Sequence, residues 1–140
     1  MKTQKFHKFW LMITAIVVGS FGPVFSLATN IETSGWASWT LDLLSWSESG
    51  THNFEAPTTR FLTALTGGFL FGWGICIFCL RQWVFDKAPN ETRKAVVAGL
   101  LAWFVLDSTG SVASGNAINV FFNILVLLIA VGPLWKPARD

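Results

Sequence analysis

A chain of 140 residues has room for one domain, and 52% of its residues are hydrophobic against 13% charged. A soluble domain carries about 25% charged residues, and a chain this short cannot hide so much apolar surface in a core of its own. A water-soluble globular protein is therefore excluded, the net charge of +2 is too small to point to nucleic acid, and lipid is the expected solvent.

A spanning helix needs roughly 20 mostly apolar residues, and four stretches approach that length. The first covers about 9–28 and is uncharged, with Gly22 and Pro23 near its far end. Its basic start and the small residues Ser26-Leu27-Ala28 resemble a secretory signal. The run is long for such a signal, so retention is expected; cleavage would leave three spans.

The next segment, 29–59, is an outer loop with its own pattern. Trp36, Trp39, Leu43 and Trp46 share one helical face, widened by Ala37, Leu41 and Leu44, with Ser38, Asp42 and Ser45 opposite. This spacing predicts a short amphipathic helix over about 34–46 with Ser34 at its N-cap. Its indoles would sit at headgroup depth and dock either on lipid, on a partner or on the bundle itself.

The second span covers about 61–84. Ala64, Gly68 and Gly72 recur every four residues, with Gly67 and Gly74 alongside, a small-residue face suited to close helix packing. Cys76 and Cys79 form a CxxC pair toward the cytoplasmic end of this span. A buried cysteine ordinarily serves as a small hydrophobe, and there is no second pair to relay electrons, so a membrane thiol redox protein is the least favoured function. The third span covers about 94–112 and must carry Asp107 at membrane depth, while the fourth covers about 117–135. Trp73 and Trp103 fall at similar depth on the second and third spans and are expected to fill space between helices.

Basic residues set the orientation. Lys2, Lys5, Lys8, Arg81, Lys87, Arg93, Lys94, Lys136 and Arg139 fall on one side, and Arg60 stands alone on the other. By the positive-inside rule both termini are cytoplasmic, and a bacterial cytoplasmic (inner) membrane is the expected location. The fold class is thus all-α: four transmembrane helices in an antiparallel bundle plus the interfacial helix.

Polar residues concentrate in the outer half. Thr59, Thr63 and Thr66 share a face of the second span, Asp107, Ser108 and Ser111 follow on the third, and Asn116, Asn119 and Asn123 line the fourth. A charge at membrane depth costs at least roughly 2.5–3.5 kcal/mol and normally finds a partner. Arg60 and Asp107 are therefore expected to face each other, with Thr63, Asn119 and Asn123 completing either interhelical glue or a small pocket open to the outside. His52 and Glu55 are too few to define a metal site, and no nucleophile, base and orienter can be assembled.

Arg60, the Gly67-Gly68 pair, Gly72 and Gly74, with the later Asp107 and an Asn-bearing last helix, resemble the DoxX-like small four-helix bacterial membrane proteins. That resemblance covers about a third of the chain and implies a four-helix bundle, with little about activity. Three functions are left in order: a non-enzymatic accessory or scaffold subunit with protein partners in the membrane, a small transporter or ligand-binding bundle, and a thiol redox protein. No cofactor is indicated by any motif.

Overall fold

The computed structural model describes residues 2–46 and 54–138, and within them the chain is helical throughout. Five α-helices follow one another: α1 Lys2–Ser26, α2 Gly35–Ser45, α3 Pro57–Cys79, α4 Pro89–Ala113 and α5 Asn119–Val131. Two short 3₁₀ turns, Leu27–Thr29 and Ile31–Thr33, lead into α2, a π-turn Leu80–Val84 extends α3, and a 3₁₀ turn Gly132–Trp135 extends α5.

Three helical stretches, Thr3–Thr29, Pro57–Val84 and Pro89–Ala113, are long and apolar enough to cross a membrane, and the shorter apolar helix Asn119–Trp135 follows them. Helix boundaries follow local chemistry. Pro57 and Pro89 sit at the first turns of α3 and α4, where a missing N–H costs nothing. At the end of α4, Gly115 adopts φ +83°. Its N–H donates to the Val112 carbonyl and that of Asn116 to the Ser111 carbonyl, the paired bonds of a Schellman stop. This turn folds α5 back along α4.

The helices form two antiparallel pairs. α1 and α3 pack along their length, with no side chain between them at Gly19 and Gly74 or at Gly22 and Gly67. A Cβ on Gly67 would come within 2.6 Å of the Gly22 carbonyl oxygen. The close-packing glycines of α3 are therefore Gly67 and Gly74, whereas Gly68 and Gly72 have no atom within 4 Å of a would-be Cβ. The expected Ala64–Gly68–Gly72 face does not pack within the chain: Gly68 and Gly72 are exposed and Ala64 is half-buried.

The second pair, α4 and α5, joins the first only at the basic end. The buried residues of α4 are Thr92, Val96, Val97 and Leu100, all in its first half. They pack in one core with Leu11, Ala15 and Val18 of α1, Ile77 of α3, and Ala130 and Val131 of α5, with Phe85 and Leu134 beside them. Trp73 reaches this core and touches Gly99, as expected of an interhelix filler. Beyond Leu100 no described residue of α4 is buried, and α3 and α4 barely touch. The bundle is closed at its basic end and open at the other.

The basic end is stitched by hydrogen bonds to the tail of α5. α5 ends at Val131, with Gly132 at φ +38°, so the Ile129 carbonyl is one of the terminal carbonyls without a helical donor, and Pro133 has no N–H to offer it. Trp10 Nε1 supplies one at 3.0 Å, and Thr14 Oγ1 donates to the Ala130 carbonyl at 2.9 Å. His7 Nε2 lies 2.9 Å from the Pro133 carbonyl oxygen, and Arg93 Nη1 donates to Leu134 at 2.7 Å. Arg81 Nε donates to the Lys8 carbonyl from the π-turn, and Lys8 pairs with Asp86. His7 is a buried residue of α1.

α2 forms where the Trp spacing predicted it, with a different face inward. Ala37 and Thr40 are buried and Leu41 is half-buried, in a small second core with Phe25, Ala28 and Phe54. Trp36, Trp39 and Trp46 are 60–74% exposed and Leu43 is exposed too. The indoles are not a lid on the bundle. Ser34 stands at the N-cap position, but its hydroxyl donates back to Ile31 instead of accepting from α2. Trp46 ends the helix in the left-handed region at φ 50°.

Candidate functional site

The open end of the α4–α5 pair holds one concentrated polar network. Asp107, Ser108 and Ser111 fall on the α4 face toward α5, and Asn119 and Asn123 are one turn apart on α5. Asn119 Nδ2 donates to Asp107 Oδ2 at 3.1 Å and to Ser111 Oγ at 2.9 Å. Asn123 Nδ2 donates to the same Asp107 oxygen at 2.7 Å and to Ser108 Oγ at 3.1 Å. Asn123 is 4% exposed, Asp107 half-buried. Asp107, Asn119 and Asn123 are thus brought together between α4 and α5.

Arg60 is not part of it. Its Nη1 donates to the Phe54 carbonyl at 3.0 Å and the Glu55 carbonyl at 2.8 Å, at the start of α3. Among the described residues the one ion pair is Lys8–Asp86. The α3 and α4 helices are too far apart at this end for the expected Arg60–Asp107 pairing, and the guanidinium satisfies itself on the chain entering its own helix. Thr63 likewise turns inward on α3, donating to the Thr59 and Arg60 carbonyls. Asn116 sits in the α4–α5 turn, beside Ser45, Trp46 and Ile118.

The network is richer in acceptors than in donors. Each Asn amide has two N–H groups, and all four are used. Asn119 Oδ1 is buried without a partner, and Asp107 Oδ1 accepts no hydrogen bond among the described residues. Asp107 also lines an open cavity of about 460 Å³ with Trp103, Leu106, Gly110, Ser111 and Ser114. Trp103, expected between helices, is therefore a wall of this cavity. Sequence reasoning placed Trp103 and Asp107 separately and missed that they sit one turn apart on one face, an i, i+4 pair.

Cys76 is exposed and Cys79 half-buried, both as free thiols. His52 lies outside the described residues, and within the described ones no group of three or more His, Cys, Asp or Glu side chains could hold a metal ion. No family model matches the chain, and neither the curated proteins nor the solved structures contain a match. The described residues form an all-helical structure with three helices long and apolar enough to cross a membrane.

Proposed function

We propose that this protein is a non-enzymatic accessory subunit that docks against a larger assembly in the membrane. One observation carries the reading: Gly68 and Gly72 of α3 present bare backbone outward, with nothing within 4 Å. Glycine inside a helix costs about 0.5–1 kcal/mol relative to Ala, and nothing in the chain uses these two. Small residues four apart let a second helix approach closely in lipid, where packing drives association. The sparse contact between α3 and α4 and the exposed indoles of Trp36 and Trp39 also support a partner.

The topology that goes with this reading has four spans and both termini in the cytoplasm of a bacterial cell. The thirteen α-helical and four 3₁₀ residues of Asn119–Trp135 reach about 28 Å at about 1.5 and 2.0 Å per residue. The hydrocarbon layer is about 30 Å thick. The excess of basic residues on the side of both termini sets the orientation. A reporter fused after Asp140 should be active in the cytoplasm.

The docking reading is tested by gentle extraction from native membrane followed by native electrophoresis. The protein should migrate within a complex, and Gly68→Leu should release it as a folded single chain. Migration of the unaltered protein as a monomer would remove this function.

A further inference from the structure

The cavity beside Asp107 has a chemistry of its own. Its charged element is a single carboxylate oxygen, Oδ1, left without a donor because Asn119 and Asn123 both donate to Oδ2. The unpartnered Asn119 Oδ1 is buried behind the network and does not line the cavity. Among the described residues no cation pairs with Asp107: Arg60 donates to the Phe54 and Glu55 carbonyls, and Lys8 pairs with Asp86 at the other end. A carboxylate at membrane depth without a counter-charge is costly, so the site favours a cation from elsewhere.

Which cation fits follows from the walls. A divalent metal wants several oxygen ligands, and the cavity offers one carboxylate. A guanidinium binds best to both oxygens of a carboxylate at once, and Oδ2 is already occupied by two amides. An ammonium needs only one oxygen. Trp103, one turn before Asp107, lines the same groove, and an indole attracts a cation held within about 6 Å of its ring. Gly110, one turn after Asp107, adds no side chain, and Leu106 gives the apolar contact that an alkyl substituent requires. All six lining residues stand on one face of α4 and its C-cap, so the site is an open groove of about 460 Å³, suited to a small group and not to an enclosed ligand.

We propose that the Trp103–Asp107 cavity binds an organic ammonium group, with Asp107 Oδ1 accepting its N–H and the Trp103 indole facing its charge. The group belongs either to a free alkylammonium ion or to the headgroup of an ethanolamine lipid. The site is contained in α4 and α5, so it is independent of the docking reading: a protein that migrates as a monomer still carries it.

Equilibrium dialysis of the purified full chain against radiolabelled methylammonium tests this, in lipid-free detergent at constant ionic strength held with potassium chloride. Saturable binding is expected, with methylguanidinium competing at least about tenfold more weakly. Asp107→Asn should weaken binding at least about tenfold. Trp103→Leu, which leaves the Asn119 and Asn123 bonds intact, should weaken it roughly threefold to thirtyfold, and it carries the test if Asp107→Asn does not fold. Nanodiscs separate the sources. Suppression of methylammonium binding in phosphatidylethanolamine discs relative to phosphatidylglycerol discs identifies the lipid headgroup, and equal binding in both identifies a free cation. Absence of saturable binding, binding unchanged by Trp103→Leu, or equal affinity for methylguanidinium would overturn the proposal.

Discussion

Gly19 and Gly74 back onto each other so closely that a Cβ on Gly74 would lie 2.6 Å from the Gly19 Cα. The same Cβ would meet the Ala15 carbonyl oxygen at 2.8 Å. Both obstacles are backbone and cannot move aside as a side-chain tip would. Gly74→Ala should therefore force α1 and α3 apart and cost about 1–3 kcal/mol, read by circular dichroism during SDS-induced unfolding. Gly72→Ala is the matched control. It meets nothing, and in detergent it should be neutral or stabilising by up to about 1 kcal/mol. Equal losses from the two changes would mean that the faces of α3 have been assigned wrongly.

The Asp107 network should behave as the clasp between α4 and α5. Asn123→Leu removes two hydrogen bonds from a nearly buried position. Interhelical bonds in membranes average about 0.6 kcal/mol each, so a loss of about 1–2 kcal/mol is expected in the same unfolding assay. Arg60→Gln should leave the clasp intact, because that side chain binds only the chain entering α3. A coupling between Arg60 and Asp107 in a double-mutant cycle would contradict this arrangement.

The basic-end seam makes a sharper prediction. Trp10 donates to the Ile129 carbonyl, whose helical donor is missing because α5 ends at Gly132. Trp10→Phe should cost about 1–3 kcal/mol by leaving that oxygen unsatisfied, while keeping an aromatic ring against Gly132. A loss below about 0.5 kcal/mol in the same unfolding assay would show that Trp10 acts through packing alone.

Trp36 and Trp39 are 68% and 60% exposed, and replacing both by Ser should change stability in detergent by no more than about 0.5 kcal/mol each. The same double change should reduce the quenching of protein fluorescence by lipids brominated near the headgroup, since these indoles are expected at that depth. A large stability loss would instead make α2 a packed lid.

Much of this architecture was legible because it depends on length and hydropathy. The three long helices, and the break between α4 and α5, follow from apolar runs and from Gly115 and Asn116. The Asp107, Asn119 and Asn123 contacts were legible because their spacing allows one face per helix. Faces set by partners were not. α3 carries glycines at 67, 68, 72 and 74, on more than one side, and only α1 decides that 67 and 74 pack inward. For α2 the largest apolar residues suggested the buried face, yet Ala37 packs with Phe25, Ala28 and Phe54, and Thr40 is buried on the same helix. Arg60 was misplaced because its acceptors are backbone carbonyls, which composition does not reveal. The seam at the basic end was missed for the same reason, although Gly132-Pro133 after an apolar run signals freed carbonyls.

His7 and Pro133 are 126 residues apart in the chain and touch in the folded molecule. Thr14 has an acceptor inside α1, the Trp10 carbonyl, whereas the Trp10 indole N–H is satisfied only by the tail of α5. The first helix therefore reaches its full set of hydrogen bonds only when the last one has docked, so the fold closes from its two ends.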